Sequence, residues 1–126
     1  MRTIKFRGKR PDGSWNYGRS IRFKQNSQVY IQGASVDPQT VGQFTGLFDK
    51  NGKEIYDGDI LGTSDKVIGY VKGGVRAYCY DVIYIKHSAG EKRWPLYSTI
   101  VDDYPDKLEV ISNVYDNPEL LNGDEV

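Results

Sequence analysis

The chain has 126 residues and a mass of 14.3 kDa, with 38% hydrophobic and 13% aromatic residues, which bounds it to one domain, or one barrel with a small appendage. Seventeen basic residues balance seventeen acidic ones at a pI near 6.6, so the overall basic footprint of a nucleic-acid binder is missing. One cysteine, Cys79, excludes an internal disulfide, and no apolar run is long enough for a signal peptide or a membrane helix, so a cytoplasmic protein with no membrane partner is expected.

Thr3 to Arg7 alternates, with Ile4 and Phe6 on one side and Lys5 and Arg7 on the other, the pattern of a half-buried strand with a basic outer face. Pro11-Asp12-Gly13-Ser14 predicts a turn, since proline presets one dihedral and Gly13 accepts positive φ. Trp15 to Phe23 is read as the returning strand and Val29 to Ile31 as a further short one. Ala34 to Gln39 is read as a loop ended by Asp37-Pro38, because the residue before proline avoids helix. Gln43 to Leu47 predicts a strand, Asp49 to Gly52 a hairpin turn with the positive φ that Asn-Gly tolerates, and Lys53 to Tyr56 the return. Asp57-Gly58-Asp59 turns into Ile60-Leu61, and Gly73-Gly74 joins strands Val67–Val71 and Val75–Ile85. In that second arm Tyr78, Tyr80, Val82 and Tyr84 share one face and Cys79, Ile83 and Ile85 the other, so either both faces are covered or the strand bends. His87 to Arg93 is read as a loop, and Leu96 to Val101 and Leu108 to Tyr115 as the last strands. Asn117-Pro118-Glu119 suits one helical turn, with a capping side chain, a proline at the first position and an acid near the positive end. Many short strands with turns about every eight to twelve residues, and no long 3.6-residue period, argue an all-β chain, a barrel or paired small antiparallel sheets.

Chemistry has few places to reside. His87 has no second histidine, and zinc sites need clustered ligands, so neither metal nor cofactor is expected. Asp57 and Asp59 could bind a divalent cation, but flanking Gly58 they read as turn formers; Asp49-x-Asn51-Gly52 only hints at a calcium loop and lacks the downstream glutamate. Asp102 and Asp103 are adjacent and would point to opposite sides of a strand, unlike a catalytic dyad. Cys79 reads as a packing residue within a strand. No enzyme activity is expected.

Charge is unevenly distributed. Residues 1–24 hold eight basic side chains against Asp12, and residues 101–126 hold eight acids against Lys107. The ends could neutralise one another, stay solvated, drive head-to-tail association between copies, or bind an anion. Lys5, Arg7, Lys9, Arg10 and Arg22, with Trp15 and Tyr17 near them, form the candidate face for single-stranded nucleic acid, by phosphate contact and base stacking. Tyr78 and Tyr80 on the tyrosine-rich strand are a second candidate binding element.

Three segments resemble the YopX family of phage and prophage proteins. Met1–Arg7 is similar to that family's opening, Thr40–Leu47 followed by Asp49–Ile60 to its central signature, and Leu108–Leu121 to its closing motif. Gly8 stands where an alanine then a tryptophan is usual, and Ser112 stands where glycine is usual, which bears on the bend there. Leu61 to Lys107 matches little. The resemblance implies a β-rich fold whose C-terminal part is a small barrel of the Src-homology type, and a phage or prophage origin in a bacterial cytoplasm. It implies no activity. The expected organisation is an N-terminal β-hairpin region over 1–39, a barrel over 40–121 and a flexible tail over 122–126. The expected role is a non-enzymatic accessory protein that binds a host or phage protein, or nucleic acid, and forms homo-oligomers through exposed strand edges.

Overall fold

The computed structural model describes residues 4–73, 80–85 and 92–122, and contacts divide the chain into two units, Met1–Gly46 and Leu47–Val126. It is all-β: among the described residues, short strands form antiparallel sheets joined by tight turns.

In the N-terminal unit, β1 (Phe6–Lys9) and β2 (Trp15–Gly18) form the first hairpin, pairing Arg7 with Tyr17 and Lys9 with Trp15. Its turn forms where Pro11–Ser14 predicts it. The Arg10 N–H donates to the Ser14 carbonyl at 2.8 Å, and Gly13 takes φ 88°. Asp12 Oδ1 accepts the Ser14 hydroxyl at 2.6 Å and its N–H at 2.9 Å, bonds that hold the Asp12 carboxyl below its ordinary value. The other edge of β1 pairs with β6 (Gly42–Phe48), Arg7 opposite Gly42.

The single return strand expected from Trp15 to Phe23 is broken. Gln32 Oε1 accepts the N–H groups of Arg19 and Ser20, each at 3.0 Å, and so bends the chain after β2. A Cβ on Gly18 would lie 1.9 Å from Gln32 Cγ, so the bend needs glycine there. The chain resumes as β3 (Ile21–Phe23), which pairs with β4 (Val29–Ile31), which pairs with β5 (Ala34–Val36). The expected loop over Ala34–Gln39 therefore begins as a strand. Gln32 and Gly33 take φ 50° and 81°, a two-residue hairpin turn that lays β5 back on β4, while Pro38 restrains only its own neighbourhood. Val29, Ile31 and Val36 form the core of this unit, with Phe6, Ile21 and Val41 packed against them. The β1–β2 hairpin closes on that core through Gly8, whose missing Cβ would lie 2.9 Å from Val36, and through Asn16 Nδ2, which donates to the Ile31 carbonyl at 2.6 Å.

In the C-terminal unit the end of β6 turns at Asp49–Gly52 into β7 (Glu54–Tyr56). Of the Asn-Gly pair only Gly52 takes positive φ, at 81°. Then follow β8 (Asp59–Gly62), β9 (Val67–Gly73), β10 (Tyr80–Tyr84), β11 (Lys92–Pro95) and β12 (Glu109–Asn113), in a curled, barrel-like sheet of order β11-β10-β9-β8-β12. The core is Ile55, Leu61, Ile68, Val71, Val82, Leu96 and Leu108. Val82 and Ile83 are both buried, so the middle of β10 is covered on both faces. Lys92 and Arg93, expected in a loop, extend the sheet opposite Tyr84 and Ile83.

The strand expected over Leu96–Val101 is helical instead. The helix α1 (Leu96–Ser98) continues into a wider π-type turn, Thr99–Asp103. The run Thr-Ile-Val favours strands, but Leu96 and Thr99 are both buried at the i, i+3 spacing of a helix. Thr99 Oγ1 donates to the Pro95 carbonyl at 3.0 Å, four residues back, and anchors the turn. β12 carries a bulge between Val110 and Ser112, so the strand bends there with serine in place of glycine. Pro118–Asn122 forms the expected closing helical turn. The Val75–Cys79 part of the long strand, the His87 region and residues 123–126 of the tail lie outside the described residues. No helix among the described residues is long and apolar enough to cross a membrane.

Candidate functional site

Strand parity separates the candidate basic residues into two groups on opposite sides of the N-terminal unit. On β1 the inward positions are Phe6 and Gly8, so Lys5, Arg7 and Lys9 share the outer face with Trp15 and Tyr17 of β2. Here the cations lie over rings: Arg7 Cζ is 4.5 Å and Lys9 Nζ 5.6 Å from the Trp15 centroid, and Lys5 Nζ is 5.9 Å from that of Phe44. Arg7 is only 4% exposed, so the fully basic outer face expected of β1 is interrupted at its centre by a buried guanidinium. Arg10 is exposed but bonded, its Nη2 donating to Asn16 Oδ1 at 2.6 Å and so bracing the hairpin.

Arg22 lies elsewhere, on the outer face of the β3–β4–β5 sheet. Val29, Ile31 and Val36 face the core, so parity turns Arg22, Tyr30 and Ser35 outward, and the register sets these three side by side across the strands. Lys24, two residues along, holds its Nζ 4.4 Å from the Tyr30 centroid. A cleft of about 370 Å³ opens there, lined by Ser20, Arg22, Lys24, Tyr30, Gln32 and Gly33. Among the described residues, no acidic side chain lines it. Its rim is set by Gln32, whose Oε1 is tied to Arg19 and Ser20 as described above. The arrangement is a tyrosine floor with two long-stemmed cations and two polar side chains, Ser20 and Gln32, suited to an anion attached to a flat ring. Lys24 and Tyr30 were not among the sequence candidates. The signal was present in Val29-Tyr30-Ile31, whose alternation places Tyr30 on the face opposite the core.

Tyr78 lies outside the described residues, and Tyr80 is half-buried against the core of the C-terminal unit. The acidic turn is structural in its geometry. Asp59 is buried, and its Oδ2 accepts the Tyr56 N–H at 2.7 Å. Gly58 takes φ 95°, with the Tyr115 ring 3.1 Å from where a Cβ would stand. Among the described residues, no three His, Cys, Asp or Glu side chains gather as a metal site.

The family model described as YopX protein matches residues 2–122. The chain belongs to the YopX family. Within the segments that resemble the YopX signatures, several polar side chains close turns: Asp49 caps the β6–β7 turn, Asp59 the β7–β8 turn, and Asn113 Oδ1 accepts the N–H groups of Tyr115 at 3.0 Å and Asp116 at 2.9 Å beyond β12. The crystal structure of protein EF1440 from Enterococcus faecalis is similar, at 22% identity over 96% of this chain and 99% of that one, with a TM-score of 0.45. No curated protein matches the chain.

Proposed function

We propose that this YopX-family chain is a non-enzymatic binding module of a phage or prophage, acting in the bacterial cytoplasm, that holds single-stranded nucleic acid on the outer face of the β3–β4–β5 sheet. The observation that carries the reading is the cleft in which Arg22 and Lys24 flank the ring of Tyr30 with no acid among the described residues that line it. The surrounding unit supports it: Met1–Gly46 holds eight basic residues and two acidic ones, so the neutral total conceals a cationic half. Phosphates would meet Arg22 and Lys24, and Ser20 and Gln32 supply hydrogen bonds at the rim. Lys24 covers the Tyr30 ring; displaced by an entering base, its ammonium swings to the adjoining phosphate while the base stacks on the tyrosine. An extended strand exposes its bases for this and a duplex does not, which favours single strands.

The test is fluorescence anisotropy with labelled oligothymidine, oligouridine and a mixed duplex at about 50 mM salt. Tighter binding of the single strands is expected, weakening as salt rises. Arg22→Glu with Lys24→Glu should abolish it without shifting the melting temperature, since both side chains are exposed. Failure to bind any of the three nucleic acids, or equal binding by the double variant, overturns the proposal.

A further inference from the structure

We infer that the chain associates head to tail with a second copy of itself, Phe23 of one copy entering a cleft on the C-terminal unit of the next. Phe23 ends β3 at 74% exposure, the most exposed large apolar side chain among the described residues. Parity places it on the side of the sheet away from Arg22 and Lys24, so it takes no part in the cleft proposed for nucleic acid. A phenyl ring left this open gains from any apolar socket that covers it.

The C-terminal unit has such a socket. Phe48, Ile100, Val101, Tyr104, Pro105 and Leu108 line a cleft of about 400 Å³, within the range of roughly 300–1,000 Å³ typical of ligand pockets. Phe48 is 50% and Val101 46% exposed, so its apolar wall is open to solvent. Its shape follows from backbone irregularities: the π-type turn Thr99–Asp103 pushes Ile100 and Val101 outward, and Asp106 takes φ 58° to bring the chain back to Leu108. Lys50 lies at the polar end, engaged with Glu109 at 3.7 Å.

Charge selects a second copy as the occupant. Exposed Asp102, Asp103 and Asp106 rise from the same loop as the socket. The C-terminal unit as a whole has fifteen acidic residues against nine basic, and the unit that carries Phe23 has eight basic against two acidic. Plug and socket thus arrive on surfaces of opposite sign, which attracts copies and orients them. Because plug and socket are different patches, the contact is heterologous and propagates into a ring or an open chain.

Sedimentation over a concentration series tests this. The wild-type mass should rise with concentration and fall with added salt. Phe23→Gln lacks the plug and Val101→Lys lacks the socket; each should weaken association on the order of tenfold or more, as loss of an interface anchor does. Both positions are exposed, and unchanged melting curves confirm that the variants fold; Phe23→Tyr, which keeps a ring, should still associate. Mixed together, the two deficient variants should form a 1:1 complex, since one retains the socket and the other the plug. A wild type that stays monomeric at its solubility limit overturns the inference, whether Phe23 is then covered by its own chain or awaits another protein. Unchanged association of either variant, or a mixture that fails to pair, overturns it too, the latter indicating a symmetric contact.

Discussion

The carboxylate of Asp49 accepts the backbone N–H of Val110 at 2.9 Å, and so ties a turn near the middle of the chain to a strand sixty-one residues later. Its other oxygen accepts the N–H groups of Asn51 at 2.8 Å and Lys53 at 2.9 Å, within the turn itself. One buried side chain therefore satisfies three backbone donors. Asp49→Ala leaves all three without that acceptor and should destabilise the protein by about 2–4 kcal/mol in urea unfolding. Asp49→Asn retains an acceptor for the turn but sets an amide NH₂ where a second acceptor is needed, so it should recover only part of the loss. An alanine variant within about 0.5 kcal/mol of wild type, the range of an ordinary surface change, would refute this role.

Turns were legible in the sequence because their chemistry is local. Pro11–Ser14, Asp49–Gly52 and Asp57–Asp59 each carry the proline, glycine or short acid that the backbone needs, and each forms. What escaped depends on distant contacts. The break after Gly18 is made by the side chain of Gln32, and the helical turn at Leu96 by the burial of Leu96 and Thr99 against local strand preference. The candidate site shows the same division. Arg22 could be named from its charge, but its meeting with Tyr30 and its separation from Lys5, Arg7 and Lys9 follow from the β3–β4 register, which the Gln32 bend establishes. Lys24 and Tyr30 needed that register before they could be recognised as partners.

Gly69 lies in β9 between β8 and β10, and a Cβ there would stand 2.2 Å from the Ile83 carbonyl oxygen. That neighbour is backbone held in a ladder, so it cannot yield without parting two strands. Gly69→Ala should cost about 3 kcal/mol, at the upper end of overpacking effects. Gly13 is the contrasting control: its φ of 88° strains an alanine, but nothing lies within 4 Å of the added carbon. Gly13→Ala should cost about 1 kcal/mol. Equal unfolding midpoints for the two variants would contradict the steric reading of Gly69.

The Tyr84 hydroxyl lies 3.2 Å from Thr99 Oγ1 and donates to Asp103 Oδ2 at 3.4 Å. Burial, chiefly, lifts its proton affinity above the ordinary value near 10; the nearby Asp103 carboxylate adds to the rise and the Thr99 bond opposes it. The folded chain then keeps this proton at a pH where the unfolded chain has released it. Stability from Tyr84 is thus complete below pH 10 and declines as pH rises from there through the folded value. Thermal melts of wild type and Tyr84→Phe should differ by a constant amount up to about pH 10 and converge above it. A difference that does not change with pH would show that the hydroxyl environment is not the one described.

The nucleic-acid reading assigns separate physical roles to the ring and the cations of one cleft, and salt distinguishes them. Arg22→Gln with Lys24→Gln removes two phosphate contacts, so the slope of log affinity against log salt should fall by about 1.4, at roughly 0.7 per contact for a single strand. Tyr30→Val keeps the β-branched preference of the strand but removes the stacking surface. It should weaken binding by about 1–3 kcal/mol and leave the slope unchanged, whereas Tyr30→Phe should bind as wild type does. The result is sensitive to Lys24, which covers the Tyr30 ring at 4.4 Å in the unbound protein. Lys24→Gln alone frees the ring while removing one charge, so at high salt, where charge counts least, it should bind single strands at least as tightly as wild type. If Tyr30→Val changes the slope, or if Lys24→Gln remains weaker at every salt concentration, the ring is not a stacking platform and the cleft acts through charge alone.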